Sequence, residues 1–143
     1  MQLTMLSDYA LRILLYAAAH PDRLVTIDET LMALPASRGH IMKVVLTLGH
    51  AGFLRSQRGR AGGFTLALPP AEIRLGDVLR QTEPHYHMVE CMGPHSACPI
   101  TSACRLPAVM HEALAAFMAV MDRHTLADVI LQPSDFLPQA AAG

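Results

Sequence analysis

The sequence predicts a mainly α protein with a small β-hairpin wing: a winged helix-turn-helix domain followed by a long C-terminal dimerisation helix. Three observations predict it. Two short helical segments meet at the break "PAS", and the second carries a polar, basic leading edge. Two β-type runs, "FLRSQ" and "GFTLAL", follow at once, joined by the glycine-rich "RGRAGG". Nearer the C-terminus, apolar residues recur at helical spacing from Leu106 toward His124.

The first helix is expected from about Ser7 to His20, with Ser7 as N-cap, Asp8 in the first turn and Pro21 as the stop. Its residues Ala10, Leu11, Ile13, Leu14, Ala17 and Ala18 cover a broad face, which predicts burial. In "VTIDETLMAL", Thr26 caps a second helix and Glu29 closes an S/T-x-x-E box. A third runs from Arg38 to about Ala51, capped by Ser37 and ended by Gly52. Ile41, Val44, Val45 and Leu48 follow i, i+3, i+4, i+7 and define its core face. His40, Lys43, Thr47 and His50 lie on another side. Such a pair of helices lays the second into a DNA major groove, so Ser37, Arg38, His40 and Lys43 are candidate contacts.

The hairpin behind them reads as a wing. Gly59, Gly62 and Gly63 are expected to supply positive-φ freedom, with Arg58 and Arg60 projecting from the tip toward phosphates or the minor groove. A plain β-ribbon with solubilising charges is the alternative. Pro69 and Pro70 end the wing, and "EIRLGDVLRQTEP" gives a short helix stopped by Pro84. These elements make a DNA-binding domain over residues 1–84, followed by a Gly-, Pro- and Ser-rich loop at 85–105. The long helix then has one apolar seam at Leu106, Met110, Ala113, Phe117 and Val120. A second strip holds Val109, Leu114, Met118 and Met121. Apolar on two sides, it needs two partners: its own domain and the same helix of a second subunit. A Thr125-x-x-Asp128 box restarts a short helix, so 106–131 form the dimerising unit, and 132–143 are expected to be a flexible tail.

Bulk properties agree. At 143 residues, 52% hydrophobic and 16% charged, the chain has apolar material for one domain and a subunit contact. "LRILLYAAA" is too short to span a bilayer and follows Asp8, not a basic segment. A soluble, cytoplasmic protein with no membrane partner is expected, in a compartment where free thiols persist. The net charge of −1 hides an asymmetry: Ser37 to Arg80 hold seven basic and two acidic residues, leaving four basic and ten acidic elsewhere. The basic stretch points to double-stranded DNA, a merely solvated surface being the alternative. No nucleophile–base spacing, phosphate loop or HExxH-type histidine set occurs, which speaks against an enzyme.

All three cysteines, Cys91, Cys98 and Cys104, lie in "VECMGPHSACPITSAC". Zinc normally asks for a closely spaced cysteine pair, absent here, although His85, His87 or His95 would complete a three-cysteine, one-histidine set. A redox disulfide strands one thiol. Unliganded core thiols sit poorly in a Gly/Pro-rich loop. An iron–sulfur cluster suits ligands spread along a loop, and with three cysteines it implies one non-cysteine ligand.

The stretches "SDYALRILLYAA", "SRGHIMKVVLTLGHAGFLRSQRGRAGGFTLALPPAEIRLGDVLRQTE" and "MVECMGPHSACPITSACRLPAVMHEALAAFMAVMDRHTLADV" resemble bacterial winged-helix regulators that carry iron–sulfur clusters. Within that group they are most similar to the NsrR-type nitric-oxide-sensing repressors, over roughly residues 1–131. The resemblance implies a homodimeric repressor on a palindromic operator, with nitric oxide as its signal. It implies an iron–sulfur cluster, 4Fe–4S favoured over 2Fe–2S, held by Cys91, Cys98, Cys104 and Asp8 of the partner subunit. Gly39 departs from the family, which often has Asn there; a base-reading amide is thereby lost. Three other readings compete: a same-fold sensor of cluster supply, iron or redox state, a small iron–sulfur electron carrier, and a zinc-containing DNA-binding protein.

Overall fold

The first helix, α1 (Met5–Ala18), starts before its expected cap and stops short of Pro21 in this computed structural model, which describes residues 2–136. Thr4, not Ser7, is the N-cap; its hydroxyl accepts from the Ser7 N–H at 3.3 Å. Ser7 is committed elsewhere: fully buried, its hydroxyl is 2.7 Å from that of Thr82. The Thr4 N–H also donates to the Glu83 carboxylate at 2.8 Å. The N-terminus of α1 is thereby pinned to the end of α4 (Leu75–Thr82).

In α2 (Ile27–Ala33), Thr26 accepts from the Glu29 N–H as expected. Burial alone would raise the Glu29 carboxyl, but hydrogen bonds from Arg23 and Thr26 outweigh it and hold the group below its usual range. Ser37 caps α3 (Arg38–His50), accepting from the His40 N–H. At the far end Gly52 takes φ 81°, which frees its N–H for Gly49 and brings the Phe53 N–H to Leu48. This left-handed cap swings Phe53 onto the core. Ile41, Val44 and Leu48 are fully buried against Ile13 and Leu14 of α1.

Strands β1 (Leu54–Gln57) and β2 (Gly63–Leu66) pair antiparallel, Leu54 opposite Leu66 and Gln57 opposite Gly63. Val25 joins the other side of β2, exchanging two 2.8 Å hydrogen bonds with buried Phe64. Only Gly59 has the positive φ expected of all three wing glycines. Gly62 and Gly63 serve close approach instead, since a Cβ at either would lie 2.6 Å from a backbone oxygen, of Gln57 and of Val25.

After the cysteine loop, α5 (Leu106–Arg123) packs on α4 and on the 3-10 turn Glu90–Met92. Asp122 accepts two 2.7 Å hydrogen bonds from Arg80 of α4, which hold its carboxyl below the usual range. The tie is therefore present at neutral pH and is lost as pH falls through that lowered pKa. Gly76 makes room for it: a Cβ there would meet Asp122 at 2.0 Å.

No residue of α5 is buried within the chain. Its apolar residues divide differently from the expected seams. Met110, Leu114, Phe117, Met118 and Met121 are half-buried, whereas Leu106, Val109, Ala113 and Val120 lie open. The chain then returns: Leu75 and Leu126 N–H groups bond to His124 and Ile73, and Leu126 is fully buried in the first domain's core. The Thr125/Asp128 box forms, on a 3-10 turn (Leu126–Val129). Residues Pro133–Phe136 form a further 3-10 turn, with the Phe136 ring edge-on to Tyr16 at 4.9 Å. The remainder of the expected tail, 137–143, lies outside the described residues.

Candidate nucleic-acid interface and thiol loop

The core phase of α3 dictates what its other side presents. With Ile41, Val44, Val45 and Leu48 inward, the open face holds Arg38, Gly39, Met42, Lys43, Leu46 and His50. Ser37 and Arg38 open it, and Arg38 pairs with Asp28 of α2. Both members of that pair are well exposed, so it is worth little and readily exchanged for a phosphate. Lys43 is exposed and, like Arg58 and Arg60, in no salt bridge among the described residues. His40 sits beside this face rather than on it. Its ring packs edge-on to Tyr9 at 5.1 Å, and its Nε2 is buried without a partner.

Arg58 and Arg60 stand exposed at the wing's turn, where Gly59 allows the reversal. Between wing and α3 runs a groove of about 620 Å³, lined by Met42, Lys43 and Leu46 on one wall and Gln57, Arg58 and Gly62 on the other. A cationic rim around a helix and a hairpin can track the phosphates of a duplex while the helix meets base edges.

Removing the competitor for Arg38 tests this face. Asp28→Ala is expected to tighten binding to any duplex and steepen log K against log salt by about 1, one more phosphate neutralised. Arg58→Ala is expected to do the opposite, flattening the slope by about 1 and weakening all sequences alike. Fluorescence anisotropy across a salt series reads both.

The cysteine loop is held by its own polar groups. Glu90 accepts from the Ala97 N–H at 2.8 Å, and the Thr101 hydroxyl donates to the Cys98 carbonyl at 2.9 Å. Cys91 lies in the Glu90–Met92 turn, and all three thiols are free and half-buried. At the start of α5 the Leu106 N–H points at Cys104 Sγ, 3.4 Å away, a contact that suits an anionic sulfur. In donor chemistry the loop fits a thiolate-held centre. Among the described residues, however, no three His, Cys, Asp or Glu side chains are gathered closely enough to hold a metal ion.

Asp8 faces its own helix. Its carboxylate accepts from Arg12 Nε at 3.0 Å, and the Arg12 guanidinium lies 5.7 Å from the Tyr9 ring centre. The turn bearing Asp8 is the one tied to Thr82 and Glu83, just ahead of the loop. Sequence reasoning assigned no role to Tyr9, Met42, Leu46 or Glu90. For Met42 and Leu46 a signal existed: both are apolar and out of phase with the core residues of α3.

The family model Rrf2, described as an iron-dependent transcriptional regulator, matches residues 3–132. The HTH-type transcriptional regulator NsrR of Geobacillus kaustophilus is 44% identical over 132 residues, 91% of this chain and 90% of that one. Its namesake in Bacillus subtilis is 38% identical over 139 residues, 96% and 95% of the two chains. The solved structure of T. potens IscR superposes with a TM-score of 0.70 at 23% identity, over 100% of this chain and 94% of that one, a likeness of fold.

Proposed function

The chain belongs to the Rrf2 family of iron-dependent transcriptional regulators, and from that premise we propose a homodimeric DNA-binding repressor whose operator affinity depends on an iron–sulfur cluster and is lost on exposure to nitric oxide. One observation carries the reading. Three half-buried thiols, none in a disulfide, share a loop between the helix-turn-helix domain and a helix that exposes Leu106, Val109 and Val120. Cys91, Cys98, Cys104 and Asp8 of the partner subunit would hold the cluster, 4Fe–4S in preference to 2Fe–2S. When bound it would supply thiolate-ligated iron, the chemistry that would make the protein responsive to nitric oxide.

The rest is the work of this chain's residues. Helix α3 enters the major groove while Arg58 and Arg60 reach phosphates. Two copies of α5 pair through the open strip of Leu106, Val109 and Val120, setting half-sites about one helical turn apart on a palindrome. Asp8 has two alternative partners: the centre across the dimer, or Arg12 one turn along its own helix. Arg12 covers Tyr9, and Tyr9 packs on His40 at the start of α3, so the choice reaches the reading helix. This is a two-state element biased by ligation.

The family's description as iron-dependent favours one alternative, in which cluster supply or iron itself is the signal. Titrating nitric oxide into anaerobically isolated protein separates the two, following visible absorption and binding to a palindromic promoter fragment together. Affinity is expected to fall in step with the absorption. Full DNA affinity after complete reaction would remove nitric oxide from the reading and leave iron supply.

A further inference from the structure

One strip of the open face of α3 carries no hydrogen-bonding side chain, with Arg38 on one side of it and Lys43 and His50 on the other. Gly39, Met42 and Leu46 occupy it, Met42 53% and Leu46 59% exposed, with open space where a Gly39 side chain would begin. Two polar groups nearby are engaged elsewhere: the Thr47 hydroxyl donates to the Lys43 carbonyl at 2.9 Å, and His40 packs on Tyr9.

Two large apolar side chains in water on one helix face call for a covering partner. The frame around them says which. Arg38 and Lys43 flank them on α3, and Arg58 stands across the groove on the wing. An apolar protein surface or a ligand pocket does not ask for cations on both rims. A major groove does: phosphates run along its edges, and thymine C5-methyl groups are the apolar features on its floor.

We infer that Met42 and Leu46 read thymine methyl groups, giving direct readout by this regulator an apolar component. The inference rests on the DNA-binding reading above and names what that surface recognises. Helix geometry sets the spacing. Four residues advance about 6 Å along an α-helix, close to two base-pair steps of about 3.4 Å. Each half-site therefore carries two thymines about two base pairs apart, on either strand, repeated in inverse order in the other half-site. Covering a methyl-sized apolar group is worth roughly fourfold in affinity.

The test uses the full-length protein, isolated without oxygen, to select duplexes from a randomised pool. Each thymine of the enriched sequence is then replaced in turn by deoxyuridine, which removes only the methyl group. Roughly fourfold weaker binding is expected at two positions about two base pairs apart in each half-site. One of those losses is expected to vanish in Met42→Ala and the other in Leu46→Ala. Deoxyuridine tolerated everywhere, or losses undiminished in both variants, would overturn the inference while salt-dependent DNA binding left the regulator reading standing. Failure to bind any duplex would overturn both.

Discussion

Replacing Cys98 with serine is expected to empty the protein of iron and lower operator affinity by at least about 10³-fold, to the level of non-specific DNA. A hydroxyl is a poor ligand where a soft thiolate is needed, and the loop offers no spare cysteine to take its place. The loss should be selective. Lys43, Arg58 and Arg60 are untouched, so weak, salt-dependent binding to any duplex persists. Cys98 is half-buried in a surface loop and makes no part of the hydrophobic core, so thermal stability of the helix-turn-helix domain should change little. Iron and sulfide counts, anisotropy titrations on operator and random duplexes, and a melting curve check the three statements separately. An iron-free Cys98→Ser variant that grips the operator as the parent does would end the cluster-control reading.

The second large effect is on stability. Leu126→Ala is expected to cost about 3 kcal/mol, in the range for fully buried leucines, and to lower Tm by roughly 10 °C. Leu126 lies just beyond the long helix, in a segment that the sequence assigns to dimerisation. In the structure its side chain is fully buried with Ile73 and Val78, and its N–H closes a 2.8 Å bond to Ile73. Losing it leaves a cavity in the reading domain and unties the end of α5 from α4. Val129→Ala, three residues on at a side chain 41% exposed, is the comparison and should cost under about 1 kcal/mol. Both are melted at one protein concentration, because subunit association adds to apparent stability. Equal losses in the two variants would mean that this segment does not share the domain's core.

Much of the fold was legible because its signals are local. The Thr26 and Ser37 caps, the end of α3 at Gly52, the inward face of α3 and the Thr125/Asp128 box each depend on residues within a few positions of one another. A helix or turn brings such residues together wherever it sits. The wing glycines were legible as a turn but not in their roles: Gly59 supplies φ freedom, while Gly62 and Gly63 are small because other backbone passes over them. The thiols and the basic residues were legible as chemistry. His40 was read as a groove contact from its spacing; in the structure its ring packs edge-on to Tyr9 of α1, at the edge of that face.

What the sequence determined by itself is thus the order of the main elements, the caps of α2 and α3, the core phase of α3 and the inventory of thiols and cations. Only the tertiary structure decided which of equivalent candidates is used. Thr4 caps α1 because Ser7 is claimed by Thr82, 75 residues away. Arg80 finds Asp122 at a separation of 42. The apolar residues of α5 sort by which of them α4 and the Glu90–Met92 turn happen to cover. A hydrogen bond or apolar contact within one turn is set by chain geometry, but one across the core exists only once other elements have packed and excluded water. Spacing along the chain carries no information about that.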